Sequence, residues 1–205
     1  MIYLLTQLIL GLYFAMILKI HIHGMENIPP NGAAILVANH RSTLDAFLIM
    51  SILRRKIYTF GKADFFEFFL LGWYLRAIGG IPVKNEKYNR ASLENAGKIL
   101  ADNKLLLIFP EGKVDQGFSM LPFKYSFVKL ALKHHVPIIQ IAITGSDKAL
   151  KLGHFFPRPA EIFVSIMEPI EFNLPIGNEN KKFINLYLQN FREMIESKIE
   201  EKQST

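Results

Sequence analysis

The chain has 205 residues, half of them hydrophobic, with a formal net charge of +6 and no cysteine. This length and apolar content are enough for one sizeable core, so the sequence predicts a single domain. The lack of cysteine excludes disulfides, thiolate metal sites and a thiol nucleophile. The excess of cations lies in residues 1–100, which carry 11 Lys and Arg against 6 Asp and Glu. A basic and strongly apolar half favours an anionic lipid surface over nucleic acid, for which the sequence has no recognised motif.

The first predicted element is an uncharged helix over residues 2–18, which ends at Lys19. Such a helix is about 25 Å long, at the short limit for a hydrocarbon core of about 30 Å. A membrane span, a helix that lies in one leaflet and a buried core helix are three open interpretations. We expect a retained membrane-anchoring helix over residues 1–19, because the segment lacks the charged start and cleavage site of a signal peptide. The Lys and Arg residues that follow predict that the remaining domain, residues 20–205, lies on the cytoplasmic side.

A histidine and an aspartate five residues apart form the most informative stretch of the chain. His40 follows a predicted buried strand over residues 33–38, and Asp45 opens a predicted helix over residues 45–53. Residues five apart on a regular helix are about 140° from sharing a face, so the side chains meet only if His40 precedes the helix. A carboxylate would then hold the imidazole in one tautomer and leave its other nitrogen free to take a proton. Helix capping by His40, with Asp45 serving the helix dipole, is equally consistent with the spacing.

The remaining chain alternates short apolar segments with amphipathic ones. Further strands are predicted at residues 21–23, 57–60, 79–85, 104–109, 136–143 and 162–167. Further helices are predicted at residues 61–75, 87–102, 121–135 and 178–202. Strands that alternate with helices predict an α/β domain with a mixed, mostly parallel sheet of about seven strands covered by helices.

One predicted helix carries six aromatic residues within residues 65–75. This density has two open interpretations, a buried helix, or a surface that contacts membrane or walls an acyl-chain groove. His21 and His23 alternate like a strand and have no nearby carboxylate or cysteine cluster. We therefore interpret them as strand or interface residues and predict no metal site.

Polar residues follow two of the predicted strands. Lys84 is either a solvated strand end or a point charge that binds a phosphate. Glu111 and Gly112 follow the strand over residues 104–109, and a carboxylate beside a glycine at such a strand end is a common construction of α/β sites. A glutamate that only belongs to a turn is the alternative.

Four segments in the same order resemble one family, the glycerolipid acyltransferases of the 1-acyl-sn-glycerol-3-phosphate type. Residues 39–45 match its His-x4-Asp motif and residues 79–84 its second block. Residues 109–112 match its third motif and residues 136–138 its fourth. A lone His-x4-Asp is a weak signal, whereas the ordered set, spread over about residues 20–145, is a strong one.

The resemblance implies a glycerol-3-phosphate acyltransferase-like fold and an O-acyltransferase of phospholipid biosynthesis. Such an enzyme moves a fatty acyl group from acyl-CoA or acyl-carrier protein to the hydroxyl of a lysophospholipid. With 1-acyl-sn-glycerol-3-phosphate as acceptor, the product is phosphatidic acid. The resemblance implies no cofactor and no metal, and its partners are membrane lipids, the lysophospholipid acceptor and the thioester donor.

The resemblance also implies residue roles. His40 would take the proton of the acceptor hydroxyl, and Asp45 would hold the imidazole and favour its cation. Glu111 and Gly112 would bind the acceptor, and Lys84 would contact its phosphate. The developing oxyanion needs donors, which we expect among backbone N–H groups near His40 or Gly112.

Two departures from the family pattern concern the phosphate. Lys84 stands where the family commonly has arginine, and Lys113-Val114 stand where it commonly has Thr-Arg. Lysine cannot make the bidentate contact of a guanidinium, so we add Lys113 as a compensating binding residue. The Glu-Gly-Lys-Val variant also resembles tafazzin-type transacylases. Another lysolipid or amino lipid acceptor, a phospholipid donor, and a membrane-bound lipid-binding protein with a structural His40 therefore stay open as alternatives.

Overall fold

The computed structural model describes residues 1–84, 90–117, 120–171 and 181–203. Strands and helices alternate along these ranges, except that a 3-10 helix (Met25–Asn27) separates the first two strands and two helices follow one another within residues 64–77. The strands are β1 (Leu18–His23), β2 (Ala34–Ala38), β3 (Ile57–Lys62), β4 (Gly80–Val83), β5 (Leu105–Ile108), β6 (Ile138–Thr144) and β7 (Ala160–Ile166). The helices are α1 (Ile2–Ile17), α2 (Asp45–Ile52), α3 (Asp64–Glu67), α4 (Phe69–Ala77), α5 (Arg90–Ala101), α6 (Ser126–His134), α7 (Ser146–Ala149) and α8 (Lys181–Gln203).

The seven strands form one sheet in the order β1-β7-β6-β2-β5-β3-β4. Every neighbouring pair is parallel except β6 and β7, which are antiparallel. The predicted mixed, mostly parallel sheet is confirmed. Its central strands β2 and β5 are buried along their whole length, as expected for parallel strands with helices on both faces.

The helices divide between the two faces of the sheet. Consecutive side chains of a strand point to opposite faces, so Leu36 packs with α1 and α2, whereas Ile35 and Val37 pack with α5, α6 and α8. We call these surfaces the α1 face and the α5 face. α4 and α7 also contribute to the core of the α1 face, through Tyr74 and Ala149.

Helix α1 belongs to the core on one side and is exposed on the other. Tyr3 and Phe14 are buried, the Tyr3 hydroxyl accepts a hydrogen bond from the Ile57 N–H (3.1 Å), and Gln7 Nε2 donates to the Met50 carbonyl (2.9 Å). Its exposed apolar residues are Leu4, Leu5, Leu8, Ile9, Leu12 and Met16. Among the described residues, no helix has both the length and the hydropathy needed to cross a membrane. The membrane anchor stays a prediction, with an exposed apolar face as its basis.

The helix predicted over residues 61–75, which we call the aromatic segment, is not one buried helix. β3 continues to Lys62 because its last residue pairs with Val83 of β4, and Phe68, in extended conformation, separates α3 from α4. Of its aromatic residues, Phe66 is buried, whereas Phe65, Phe68, Phe69 and Trp73 are exposed. Because most of these side chains are exposed, the interpretation that agrees with the structure is a surface that contacts membrane or walls an acyl-chain groove.

Helix α6 begins five residues later than predicted, at Ser126 rather than residue 121. The Leu121 N–H donates to the Glu111 carboxylate and the Lys124 N–H to the Pro110 carbonyl, and these bonds hold the preceding segment against the loop after β5. The predicted starts of two other helices, residues 87–89 and 178–180, and the last residue of the strand predicted at 79–85 lie outside the described residues.

Candidate active site

The candidate site lies where the central parallel strands β2 and β5 end. Val37 pairs with Ile108, so the segments that follow the two strands leave the sheet at the same edge. The His40 ring stacks on Phe109, with ring centroids 3.9 Å apart and planes at 15°. The fold thus brings together two motifs that are about 70 residues apart in the chain, at the edge where α/β sheets commonly bind ligands.

Asn39 fixes the end of β2, a role that the sequence analysis missed. Its side chain is fully buried; Nδ2 donates to the Ile143 carbonyl (2.9 Å), and the Ile143 N–H donates to Oδ1 (2.7 Å). The amide therefore replaces the next pair of ladder hydrogen bonds between β2 and β6 and satisfies two buried backbone groups. A polar residue directly after a buried apolar strand was the available signal.

The side chains of His40 and Asp45 meet, because His40 precedes α2 and Asp45 is its first residue. His40 Nδ1 lies 3.0 Å from Asp45 Oδ2, and the same oxygen accepts the N–H groups of Arg41 (2.9 Å) and Ser42 (2.8 Å). Asp45 is fully buried. Since a carboxylate only accepts, Nδ1 carries the proton and a neutral imidazole keeps its lone pair on Nε2. Asp45 orients the ring and holds the turn before α2. The alternative of helix capping by His40 is wrong, because Leu44 is the N-cap residue of α2 and no side chain caps the helix by a hydrogen bond.

A cavity of about 480 Å³ adjoins the histidine, whose side chain is 17% exposed. Its wall combines aromatic rings, hydroxyl groups and two ammonium groups. The residues that line it are His40, Thr43, Thr59, Phe60, Gly61, Lys62, Phe65, Val83, Phe109, Gly112, Lys113, Val114 and Leu152. Such a lining suits an amphipathic molecule with an apolar chain and an anionic head. No binding role was predicted for Thr43 or Thr59, whereas Phe65 begins the aromatic run for which the wall of an acyl-chain groove was one open interpretation.

Glu111 supports the site from inside the protein. It is 4% exposed; Oε1 accepts the His40 N–H (2.7 Å) and Oε2 accepts the Leu121 N–H (3.0 Å). Burial raises the pKa of the Glu111 carboxyl above its ordinary value, although both hydrogen bonds act in the opposite direction. Glu111 is not among the residues that line the cavity. Its carboxylate ties the segment after β2 to the segment before α6.

Gly112 and Lys113 do line the cavity. Gly112 has φ +79°, a backbone conformation that favours glycine, and the end of the Lys124 side chain lies where a Cβ would stand. The Gly112 N–H donates to the Phe109 carbonyl (3.0 Å). The N–H groups of residues 40–42 donate to Glu111 and Asp45, so these four backbone donors are used within the protein. The expected oxyanion donors among other N–H groups near His40 or Gly112 stay a prediction.

Cations gather at the ends of the neighbouring strands. Lys84 follows β4 directly and is exposed, and it lies next to the cavity-lining Val83. Lys62, at the end of β3, lines the cavity and pairs with Asp64 (2.9 Å). The hydrogen bond from Lys62, with a smaller contribution from the charge of Lys84, lowers the pKa of the Asp64 carboxyl. Lys62 is a candidate binding residue to which the sequence analysis gave no role.

Comparisons with known proteins agree on one kind of enzyme. A family model described as acyltransferase matches residues 19–144. A 1-acyl-sn-glycerol-3-phosphate acyltransferase of Limnanthes douglasii is 32% identical over 156 residues, which are 75% of this chain and 55% of that protein. The 1-acyl-sn-glycerol-3-phosphate acyltransferase alpha of Mus musculus is 27% identical over 157 residues, again 75% and 55%. The chain spans about half the length of these relatives.

The fold has a counterpart among solved structures. The 1-acyl-sn-glycerophosphate acyltransferase of Thermotoga maritima superposes with a TM-score of 0.81 at 24% identity. The superposition covers 99% of this chain and 80% of that chain. At this identity the likeness establishes the fold.

Proposed function

The chain belongs to the acyltransferase family that includes the 1-acyl-sn-glycerol-3-phosphate acyltransferases, and we propose that it acylates a lysophospholipid. The donor is a fatty acyl thioester, and the acceptor is 1-acyl-sn-glycerol-3-phosphate, which gives phosphatidic acid. One observation carries the proposal: the imidazole of His40 lines a cavity of mixed polarity while a buried carboxylate holds its Nδ1.

The chemistry follows from that geometry. His40 Nε2 takes the proton of the acceptor hydroxyl as the oxygen attacks the thioester carbonyl carbon. The tetrahedral intermediate then collapses, the carbon–sulfur bond breaks, and the imidazolium returns the proton to the leaving thiolate. Asp45 stabilises the imidazolium between these steps, and general-base catalysis of this kind contributes about 10²- to 10⁴-fold. No acyl-enzyme is needed.

Side chains at the cavity supply the electrostatics. Because the nearby backbone N–H groups of residues 40–42 and Gly112 donate within the protein, we assign oxyanion stabilisation to cavity-lining donors such as Thr43 and Lys113. Lys62, Lys84 and Lys113 carry the positive charge that an acceptor phosphate requires. These lysines act as point charges rather than as bidentate forks.

The exposed apolar surface points to a lipid interface. The Thr6 and Tyr74 hydroxyls lie 3.1 Å apart, so α1 and α4 are neighbours, and both expose apolar side chains. Phe65, at the start of the aromatic segment, also lines the cavity. We propose that α1 and the aromatic segment lie in one leaflet on the cytoplasmic face, where amphipathic helices and aromatic rings are stable, and that the acceptor enters from the bilayer.

An acylation assay tests the reaction. Purified protein in detergent is incubated with labelled acyl-CoA or acyl carrier protein and a panel of lysolipids, and wild type is compared with His40→Ala. We expect acylated lysophosphatidate from wild type only. If no lysolipid is acylated, the proposal fails, and if the alanine variant is equally active, the mechanism fails. Transfer between phospholipids without a thioester would instead indicate a transacylase.

A flotation assay with anionic vesicles tests the lipid interface. Removal of α1 would also expose the core around Tyr3 and Phe14, so we substitute only exposed residues, Leu5→Ser with Leu8→Ser. Weaker vesicle binding at an unchanged melting temperature is expected. Undiminished binding of this variant and of Phe69→Ser would exclude both segments as the lipid contact.

A further inference from the structure

A basic groove runs between α5 and α6 on the α5 face. Its volume is about 1280 Å³. Gly97 of α5 and the His134 ring of α6 come so close that a Cβ at Gly97 would lie 2.9 Å from Nε2, and both residues line the groove. The cations that line it are Arg90, Lys98, Lys124, Lys129 and Lys133.

The groove carries a strongly positive charge. Among its described lining residues, Glu94 is the one carboxylate, and it pairs with Arg90 (2.8 Å) at a highly exposed position. Lys98, Lys129 and Lys133 are exposed. Partial burial and the charge of Lys133 lower the pKa of His134, in agreement with a positive potential. Clustered charge of one sign attracts an oppositely charged partner over distances of about a Debye length.

The position of the groove relates it to the catalytic cavity and to the apolar surface. Lys124 lines the groove and packs against Gly112, which lines the cavity, so one end of the groove adjoins the reaction site. The exposed apolar residues of α1 lie on the other face of the sheet. When α1 rests on a bilayer, the groove therefore faces the aqueous phase, from which a water-soluble donor arrives.

We propose that this groove docks an acidic acyl carrier protein, which delivers the acyl thioester from the aqueous side. The inference rests on the proposed acyl transfer and adds its donor. The charges are exposed lysines on two helices, with Lys129 and Lys133 one helical turn apart, which is a row of point charges suited to the acidic side chains of a partner helix. A nucleotide phosphate is more commonly held by converging N–H groups or an arginine fork.

The proposal is tested by steady-state kinetics with two donors, acyl-CoA and acylated carrier protein, that carry acyl chains of equal length. The groove variant is Lys98→Glu, Lys129→Glu and Lys133→Glu together, assayed at low salt. We expect the KM for acylated carrier protein to rise by at least about tenfold. The KM for acyl-CoA and the kcat with either donor should change by less than about twofold, because charge complementarity acts on the encounter of the two proteins rather than on the chemical step. Salt should reduce the difference between wild type and variant.

A matched control reverses three exposed cations outside the groove, Arg54→Glu, Lys148→Glu and Lys198→Glu. It has the same change in net charge and should leave both KM values near wild type. Equal loss in groove and control variants would assign the effect to net charge and overturn the proposal. Melting temperatures show that both variants are folded.

The remaining outcomes separate this inference from the proposed function. An equal rise in the KM for acyl-CoA would place nucleotide phosphates in the groove, and unchanged KM values would exclude it as a donor site; both overturn the inference. Activity with acyl-CoA but not with the carrier protein also overturns it and leaves the acyl transfer intact. If neither donor supports acylation, the proposed function fails. The docking is then tested by fluorescence anisotropy of labelled carrier protein. No binding to wild type, or equal binding to wild type and the groove variant, overturns the docking.

Discussion

Two histidine–carboxylate pairs in the described part of the chain look alike locally. His40 Nδ1 lies 3.0 Å from Asp45 Oδ2, and His21 Nε2 lies 2.8 Å from Glu161 Oε1. Each imidazole stacks on a phenylalanine, with planes at 15° for His40 and 12° for His21. The two pairs nevertheless differ in their burial and in their position in the fold.

The difference lies in burial and surroundings. The Asp45 side chain is fully buried and accepts three hydrogen bonds, whereas the Glu161 side chain is 46% exposed and is shared with Lys19 (2.9 Å). His40 lies at the end of a central strand beside a cavity, and His21 lies on β1 at the sheet edge. A histidine and a carboxylate within hydrogen-bond distance thus do not make a catalytic site; the buried, fixed carboxylate and the adjoining cavity distinguish one pair from the other.

The largest expected effect separates the two histidines. His40→Ala should lower the rate of lysolipid acylation by at least about 10²-fold, because the general base is lost. His21→Ala should stay within about twofold of wild type, because His21 lies on the edge strand β1 and is not among the residues that line the cavity beside His40. Initial rates with labelled thioester measure both. A comparable loss in His21→Ala would show that the environment of the pair does not decide its role.

Removal of the charge of Asp45 should have the next largest effect. Asp45→Asn leaves a group of the same shape but no longer stabilises the imidazolium, so we expect kcat to fall by at least about 10²-fold. An amide also satisfies three donors less well, which should cost about 1–3 kcal/mol of unfolding free energy. Denaturant titration and kcat are measured on the same samples. Wild-type kcat in this variant would refute the orienting role.

Glu111→Gln tests the hydrogen bond from the His40 N–H to the Glu111 carboxylate. A glutamine would place an NH₂ against the N–H of His40 or Leu121, so we expect a loss of about 1–3 kcal/mol in unfolding free energy. A small displacement of His40 should lower kcat by about tenfold or more, with little change in the KM for the acceptor. A large rise in that KM with unchanged kcat would instead make Glu111 a substrate contact, as the family resemblance implied.

The pKa of Glu111 predicts a pH dependence of stability. Because its pKa is raised in the folded protein, the native state holds this proton more tightly than the unfolded state does. The contribution of Glu111 to the unfolding free energy should therefore fall as pH rises from its ordinary value of 4.5 through the raised pKa, and then stay constant. Denaturant titrations of wild type and Glu111→Gln should diverge in this window. Parallel curves would contradict the raised pKa.

The smallest effect is expected at the exposed pair. Lys19 and then His21 lower the pKa of Glu161, so its contribution to stability is present above the ordinary carboxyl pKa and is lost as pH falls. Both partners are exposed and screened by salt, and Glu161→Gln should leave activity unchanged and the melting temperature nearly so. A loss of activity in this variant would show that the edge pair contributes to the site.

Local sequence patterns predicted the elements but not the supports between them. The apolar run before His40 and the pattern after Asp45 gave β2 and α2 to within one residue. The third motif gave Gly112 as a site residue, and Lys113 was added because it departs from that motif; both line the cavity. The bonds from Asn39 to Ile143 cross 104 residues, and the bond from the His40 N–H to Glu111 crosses 71. Hydrogen bonds of such separation leave no periodic signal.

The segment over residues 61–75 shows a second reason for disagreement. Its apolar density predicted one helix, but pairing between Lys62 and Val83 extends β3, and the chain then breaks at Phe68. The apolar pattern of these residues agrees equally with a buried helix and with an exposed surface, and strand pairing is needed to choose between them. Tertiary pairing, rather than local preference, decides between them.

Helix α1 runs into β1 without a connecting residue: Ile17 ends the helix and Leu18 begins the strand. Leu18 is buried, and its N–H donates to the Phe14 carbonyl, so the junction belongs to the core. Because no connecting residue lies between them, α1 and the sheet move as one rigid body. On the proposed bilayer surface, any roll of α1 turns the whole sheet by the same angle, so the orientation of α1 sets the height of the cavity mouth above the lipid.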